Sequence, residues 1–575
     1  MLKLPKNLNM KRILLLSALI FGLENAAYTQ PCTLSTDTAH LDVNNARVIL
    51  QASGDFFWDR QNAGFFVPKG DVNQPQTSTI FAGGLWLGGC DSGCNLKLAT
   101  SRHGASAGKT DWFPGPLIDT ATTTNASLCA NFDKLWKIKR SDVMAHIADF
   151  AADGHIDGPV PQAILEWPGR DNPNSLTANG FALPAGQDLA PFVDRNGNGK
   201  YEPKSGDYPF FKGDQAVWWV FNDDGGGAFH GETNSTSIRT EIHAIAFGFE
   251  GQGNDDLANT TFYDFTIINK AKEFIQNTYV GLWLDAKLGC PVDDNIGCIS
   301  GEKLALIYNS DTPDGQSDCD CMGTPTYCDD IPVVGIKVLS SPFDNNGNET
   351  GFSSFVYETG SGLINPPSWL SYPPYDVEYY RLLSGNWVDG SPVTYGGNGY
   401  NAGATQSYPF VYDGNPSESG SWSLCNVSQP GYDYRMLINS GPFFLDPGAK
   451  TSVCYAVMNK FGLPQPCPDI TPLIEMGDAV QQYCASLTST EDHNPDVAVA
   501  HFFPNPLHEN GTLTTDKEAL ISAQIFSPDG RIVQEYHQIN TTELMIERGN
   551  LPGGLYFYSA LLHNGQIAIG KIIVQ

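Results

Sequence analysis

The chain is short of positive charge. It carries 33 Lys and Arg against 63 Asp and Glu, for a formal net charge of −30. A field of that sign repels phosphate backbones and anionic bilayer surfaces, which argues against nucleic-acid or membrane-surface binding. Long apolar runs are missing beyond the N-terminal segment, so no later stretch is expected to cross a bilayer. Catalytic signatures are scarce too. No His-Glu-x-x-His occurs, which removes one common zinc-hydrolase helix. Gly104-Ala105-Ser106-Ala107-Gly108 has the spacing of a nucleophile elbow, but Lys109–Gly115 does not start the helix that motif needs. The same stretch ends in Gly108-Lys109-Thr110 like a phosphate loop, with His103 where its first Gly belongs, and reads as a small-residue loop. Glu166 beside Trp167 is a pairing that chance supplies in so acidic a chain. His230, with Gly231 and Glu232, and His243 are isolated histidines. Trp86, Trp218 and Trp219 sit inside apolar runs, where core packing outweighs sugar stacking.

What the chain does contain is Gly (59), Pro (38) and aromatics (11%), which points to many short strands joined by turns. Its length suggests roughly three or four domains. Strands are expected at 216–221, 238–249, 262–268, 279–284, 304–308, 333–339, 352–357 and 451–458. Gly441-Pro442-Phe443 with Asp446-Pro447-Gly448 reads as a sandwich edge and tight turn. Helices are expected at 142–151, capped by Ser141, and at 469–485. The fold class is therefore mainly β: several β-sandwich modules with a few helices.

Thirteen cysteines are many for a reduced compartment. Outside the cell the default is disulfides, and the odd count leaves at least one unpaired. Cys90–Cys94 and Cys290–Cys298 are spaced for short bridges. Zinc at Cys319, Cys321 and Cys328 is the weaker alternative, because a fourth ligand and the paired knuckle spacing are missing.

The N-terminal segment reads as a signal peptide over residues 1–29. Lys11 and Arg12 precede a mostly apolar Ile13–Leu23, and Ala27-Tyr28-Thr29 offers a cleavage site. The apolar run spans only ~16 Å at ~1.5 Å per residue, against ~30 Å of hydrocarbon. Removing residues 1–29, which hold Lys3, Lys6, Lys11, Arg12 and Glu24 (net +3), takes the charge from −30 to −33. Such acidity keeps an exported protein soluble, and it also suits a calcium-rich medium.

A body over 30–486 leads to a polar linker at 487–499 and a C-terminal segment at 500–575. That segment alternates with period two between Asp-Gly and Asn-Gly turns, as in an Ig-like antiparallel sandwich of about seven strands. Four motifs occur in order: Phe503-Pro504-Asn505-Pro506, Phe526 to Asp529-Gly530, Leu551-Pro552-Gly553-Gly554-Leu555-Tyr556, and Lys571 followed by apolar residues. Together they resemble the type A C-terminal sorting domain of type IX (Por) secretion in Bacteroidota. Ser527 stands where that family more often has Asp or Asn. The signal peptide implies Sec export to the periplasm, and the resemblance implies recognition by the type IX outer-membrane translocon, usual removal of the domain, and release or attachment at the cell surface. The body resembles an uncharacterised family of exported proteins from the same bacteria, through Leu41–Asn45, Gly83–Gly89, Asp194–Pro209, Gly213–Trp219 and Tyr279–Asp294. That resemblance implies a secreted modular β protein and no particular reaction.

The most informative local motif is Asp194-Arg195-Asn196-Gly197-Asn198-Gly199-Lys200-Tyr201-Glu202. Oxygen side chains at positions 1, 3 and 5 with Gly at 6 match a calcium loop. Lys200 then offers its carbonyl, and Glu202 falls at position 9. Position 12 departs: Ser205 stands there, with Asp207 as a substitute. The alternative is a hydrated turn, since Asn-Gly pairs turn without metal. Asp285, Asp293 and Asp294 form a second acidic cluster, read mainly as a solvated loop, and Asp344–Asn348 is a weaker one. The functional expectation is a secreted, non-catalytic glycan- or protein-binding protein, with a secreted polysaccharide hydrolase as the alternative.

Overall fold

The computed structural model describes residues 31–574 except 71–75, 119–121, 252, 316–318, 320–325, 360–372, 374, 402, 428–431, 489–499, 516–518, 528–531 and 563–566. The proposed signal peptide and most of the proposed linker therefore lie outside the described residues. The chain divides into two compact units, 1–480 and 481–575.

The first unit is built on two nine-stranded sheets. One runs in the order 38–41, 47–51, 55–56, 78–90, 275–286, 434–445, 354–359, with 65–66 and 96–99 added at the side. The other runs 294–299, 304–309, 333–340, 450–460, 260–269, 240–248, 215–222, 113–114, with 136–139 on 215–222. Pairing between these strands is antiparallel throughout. The sheets share one core, in which Trp86 and Trp283 of the first join Trp219, Phe265 and Tyr455 of the second. The turn at Asp446–Ala449 carries the chain from one sheet to the other, since 434–445 and 450–460 belong to different sheets.

The two adjacent tryptophans show how the strand period builds these layers. Successive side chains of a strand point to opposite faces. Trp219 enters the shared core beside Phe265, 6.4 Å between ring centres. Trp218 faces outward, where Trp136 and Trp167 cover it at 5.5 and 6.4 Å. Both faces of this strand are therefore dry, as its uniformly buried residues show. Trp86, like these two, is buried, so all three serve packing. In the strand Ser78–Cys90, glycine has a steric role: a Cβ on Gly84 would lie 2.2 Å from the carbonyl oxygen of Ser101.

The helix expected at 142–151 runs from Arg140 to Asp153. Its N-cap is Lys139, with no side-chain capping bond, so Ser141 lies within the first turn and caps nothing. The later helix covers Thr471–Thr488.

The cysteine pairing differs from the short loops that spacing favours. Cys32 bonds Cys129, Cys290 bonds Cys319, and Cys425 bonds Cys467. Cys298 is buried and free, its thiol near the Val411 carbonyl, so the Cys290–Cys298 bridge is not formed. Strand pairing explains this, because 294–299 runs straight out from the 290 turn against 304–309 and carries Cys298 away. With Cys319 and Cys328 both disulfide-bonded, the zinc reading loses two of its three thiolates, and Cys321 lies outside the described residues. Cys90 and Cys94 are free thiols with sulfurs 2.7 Å apart.

The second unit holds a three-stranded sheet (500–503, 510–515, 543–547) and a four-stranded sheet (532–541, 520–526, 554–562, 567–574). Its own core includes Leu507, Leu513, Ile525, Ile546, Tyr558 and Ile572.

Candidate functional sites

In the C-terminal unit the opening motif and the last strand meet. Asn505 uses both ends of its amide on that strand's backbone. Its Nδ2 donates to the Lys571 carbonyl at 3.1 Å, and its Oδ1 accepts from the Ile573 N–H at 2.8 Å. The Leu507 N–H adds a bond to the Ile573 carbonyl at 2.6 Å. Phe503, Pro504 and Lys571 are left exposed around this tie. Leu551 and Tyr556 point inward, and the Tyr556 hydroxyl donates to the Pro552 carbonyl at 3.0 Å. Gly554 begins the strand 554–562. Asp529 and Gly530 lie outside the described residues.

The expected calcium loop is a compact exposed turn. Asp194 accepts from the N–H groups of Gly197 (2.8 Å) and Gly199 (2.6 Å). Asn196 and Asn198 accept from Asn198 and Lys200 N–H, and both of their amides reach Glu202. Asp207 is buried behind the loop, taking the N–H groups of Arg195 and Glu202 at 2.9 and 2.7 Å. The structure thus brings Asp194, Asn196, Asn198, Glu202 and Asp207 together. His146, on the helix Arg140–Asp153, contacts the Asp207 carbonyl at 3.1 Å and anchors the loop to the body. Asp344 holds a smaller exposed turn through Asn346 and Asn348 N–H.

A cleft of about 720 Å³ opens in the body, lined by Trp58, Phe81, His103, Asp285, Asp433 and Arg435 among others. Its floor is a cross-strand pair: Asp285 on 275–286 lies directly opposite Arg435 on 434–445. Opposite charges in that register attract. Arg435 approaches Asp285 at 3.6 Å and Asp433 at 2.9 Å, and the Asp285 carboxylate also meets His103 Nε2 at 2.7 Å. Burial raises the Asp433 pKa, opposed by the Arg435 charge. The His103 ring stands edge-on to Trp58, Phe81 and Trp283, at 5.5, 5.9 and 5.0 Å. Lys287 lies over the Phe81 ring at 5.4 Å. Ser106 also lines the cleft, so Ser106, His103 and Asp285 are near one another. The Ser106 hydroxyl nonetheless donates to the His103 backbone carbonyl at 2.8 Å, on a single 3₁₀ turn over His103–Ala107, so no nucleophile elbow forms.

Two buried charge networks flank this region. Arg102 reaches Glu232 (3.1 Å), Glu358 (3.4 Å) and the Tyr379 hydroxyl, and Trp283 Nε1 donates to Glu358 at 3.2 Å. His230 has a backbone carbonyl at each ring nitrogen, Leu98 at 2.9 Å and Asp223 at 2.6 Å. Burial opposes its charge, but Asp111 and Asp223 outweigh that and hold its pKa above the ordinary value. Two acceptors on one ring favour the doubly protonated form. Glu166 pairs with Lys134 at 2.9 Å and His243 with Glu241 at 2.8 Å, both local partnerships.

Residues 501–575 match the model of a secretion system C-terminal sorting domain. That match supports a type IX-sorted protein. No curated protein matches the chain. Among solved structures, a polysaccharide lyase aligns with 58% of this chain at 10% identity and a TM-score of 0.17, too low to carry an argument. The match spans about a third, 34%, of that chain's length. No helix among the described residues is long and apolar enough to cross a membrane.

Proposed function

We propose that this cargo, delivered outside the cell by its sorting domain, uses its body to bind a glycan in the Trp58–Arg435 cleft without cleaving it. The observation that carries the reading is the presence of the Trp58 and Phe81 rings beside hydrogen-bonding charges in one cavity of about 720 Å³. A sugar ring offers C–H faces to aromatic rings and hydroxyls to Asp, His and Arg, and the volume is within the usual ligand-pocket range. The carboxylates are engaged: Arg435 approaches both, and His103 takes Asp285. Hydrolysis is the second reading, because Asp285 and Asp433 are two carboxylates in an aromatic-lined cleft. We also infer a Sec-exported precursor and a calcium ion in the Asp194–Asp207 loop.

The test is a glycan panel probed with the full secreted chain and with Phe81→Ala and Asp433→Asn. Retention on a glycan that falls at least tenfold in Phe81→Ala, with no release of reducing ends, is the expected result. Reducing ends that vanish in Asp433→Asn establish the hydrolase. Neither binding nor release across the panel sinks the cleft as a glycan site.

A further inference from the structure

The acidic segment after the strand 275–286 does not behave as one cluster. Asp285 turns into the cleft, and Asp294 takes the Leu288 N–H at 3.1 Å. Asp293 goes elsewhere. Only 2% of it is exposed, yet neither carboxylate oxygen completes a hydrogen bond among the described residues, the backbone N–H of Gly315 bearing on it without closing one. It faces Asp314, which is fully buried, and the facing oxygens lie within 4.8 Å of each other and of the Cys290 sulfur. That sulfur is bonded to Cys319 and is no thiolate ligand. Two buried carboxylates facing one another repel unless something positive lies between them. Burial, and after it the negative charges of Asp314 and Asp311, push its pKa up to about 7.

The surrounding backbone is organised to hold this pair. Asp314 accepts from the N–H groups of Cys290 (3.0 Å) and Tyr327 (2.5 Å). The Asp293 carbonyl accepts from the Ser310 N–H at 2.8 Å. Gly289 is at φ +80°, and a Cβ there would stand 2.0 Å from Asp314 Oδ2, so only glycine lets the chain pass. Oxygens up to 4.8 Å apart fit around one ion that takes each at ~2.3–2.6 Å.

We propose that Asp293 and Asp314 bind one divalent cation, a hard ion of the calcium type, independently of the Asp194–Asp207 loop and of any ligand in the cleft. The ion ties the 288–294 turn to the 310–315 turn beside the Cys290–Cys319 bridge.

The experiment counts calcium bound per full-length chain by equilibrium dialysis and elemental analysis after chelator treatment. It compares the parent with Asp293→Asn, Asp314→Asn and Asp194→Ala. Asn is isosteric with Asp, and at Asp293, whose oxygens complete no hydrogen bond, it removes a buried charge without loss of a partner, so the decision is read on Asp293→Asn; Asp314→Asn also turns an amide donor toward the Cys290 or Tyr327 N–H and serves as the supporting variant. The expected result is the loss of one ion per chain in Asp293→Asn and in Asp314→Asn relative to the parent, and of one ion relative to Asp194→Ala when either is added to that variant. The calcium-induced rise in melting temperature should shrink in parallel. Equal ion counts in the parent and Asp293→Asn overturn the proposal. So does an Asp293→Asn chain that melts higher than the parent by the same margin with calcium and with chelator, because a shared proton then neutralises the pair.

Discussion

The two units of this protein solve the strand problem differently. In the sorting domain, strands alternate: Asn510–Thr515 and Leu520–Phe526 bury every second residue or so and leave the rest partly exposed. In the body, Gln215–Asn222 and Leu304–Asn309 are buried along their whole length, because loops and helices cover the outer faces of the sheets. Alternation needs one wet face, whereas continuous runs need cover on both sides. The body therefore carries polar and charged groups into dry surroundings, such as Arg102, Glu358, Asp111 and His230, and must satisfy each with partners.

That contrast can be broken most completely at the junction. Deleting 500–575 is expected to abolish secretion and leave the body folded in the periplasm, read by fractionation and protease resistance. Appearance of the truncated chain in the medium would contradict the sorting role. Next in size is the Arg102 network. Glu358→Ala leaves the Trp283 N–H and part of the Arg102 charge without a partner, and is expected to cost about 3–5 kcal/mol in denaturant unfolding. Lys303→Ala, which breaks the exposed pair with Glu349, should cost below about 1 kcal/mol. Comparable losses would show that the body tolerates unpaired buried charge.

A pH effect sharpens the same comparison. The His230 pKa is raised in the folded body, so its contribution is present below its unfolded value near 6.5 and is lost as pH climbs through the folded one. Asp111, pushed by burial to about 6 from 3.8, acts in the same direction, its share fading from about pH 4 upward. Melting temperature should therefore fall between pH 5 and 8 by these groups, and His230→Gln should flatten the fall. An unchanged slope in that variant would remove His230 from the account. The smallest effect is expected at the exposed Asp194 loop: Asp194→Ala with Asn198→Ala should lower the melting temperature by a few degrees in calcium. An equal drop in chelator would make the loop a metal-free turn.

Much of the fold is legible in the sequence. The apolar runs at 262–268 and 333–339 became strands 260–269 and 333–340, and the ordered motifs after Phe503 located the sorting domain. The cleft is not legible, because Trp58, His103, Asp285 and Arg435 come from distant segments and none is unusual where it stands. Only the Asp285–Arg435 register, a property of sheet order, brings the two charges opposite each other. The same limit hid the split of Asp285, Asp293 and Asp294. Neighbours in sequence pointed to one loop, while a strand end sends consecutive side chains to different faces. The bridge from Cys290 to Cys319 was likewise hidden, since spacing alone favours the nearer Cys298.

The amide of Asn505 stitches the Phe503–Pro506 segment to the backbone of the final strand. A receptor that reads Phe503 and Lys571 together therefore reads a conformational epitope, assembled from residues at opposite ends of the tail. To such a receptor, a tail that is unfolded displays the same letters but not the same shape.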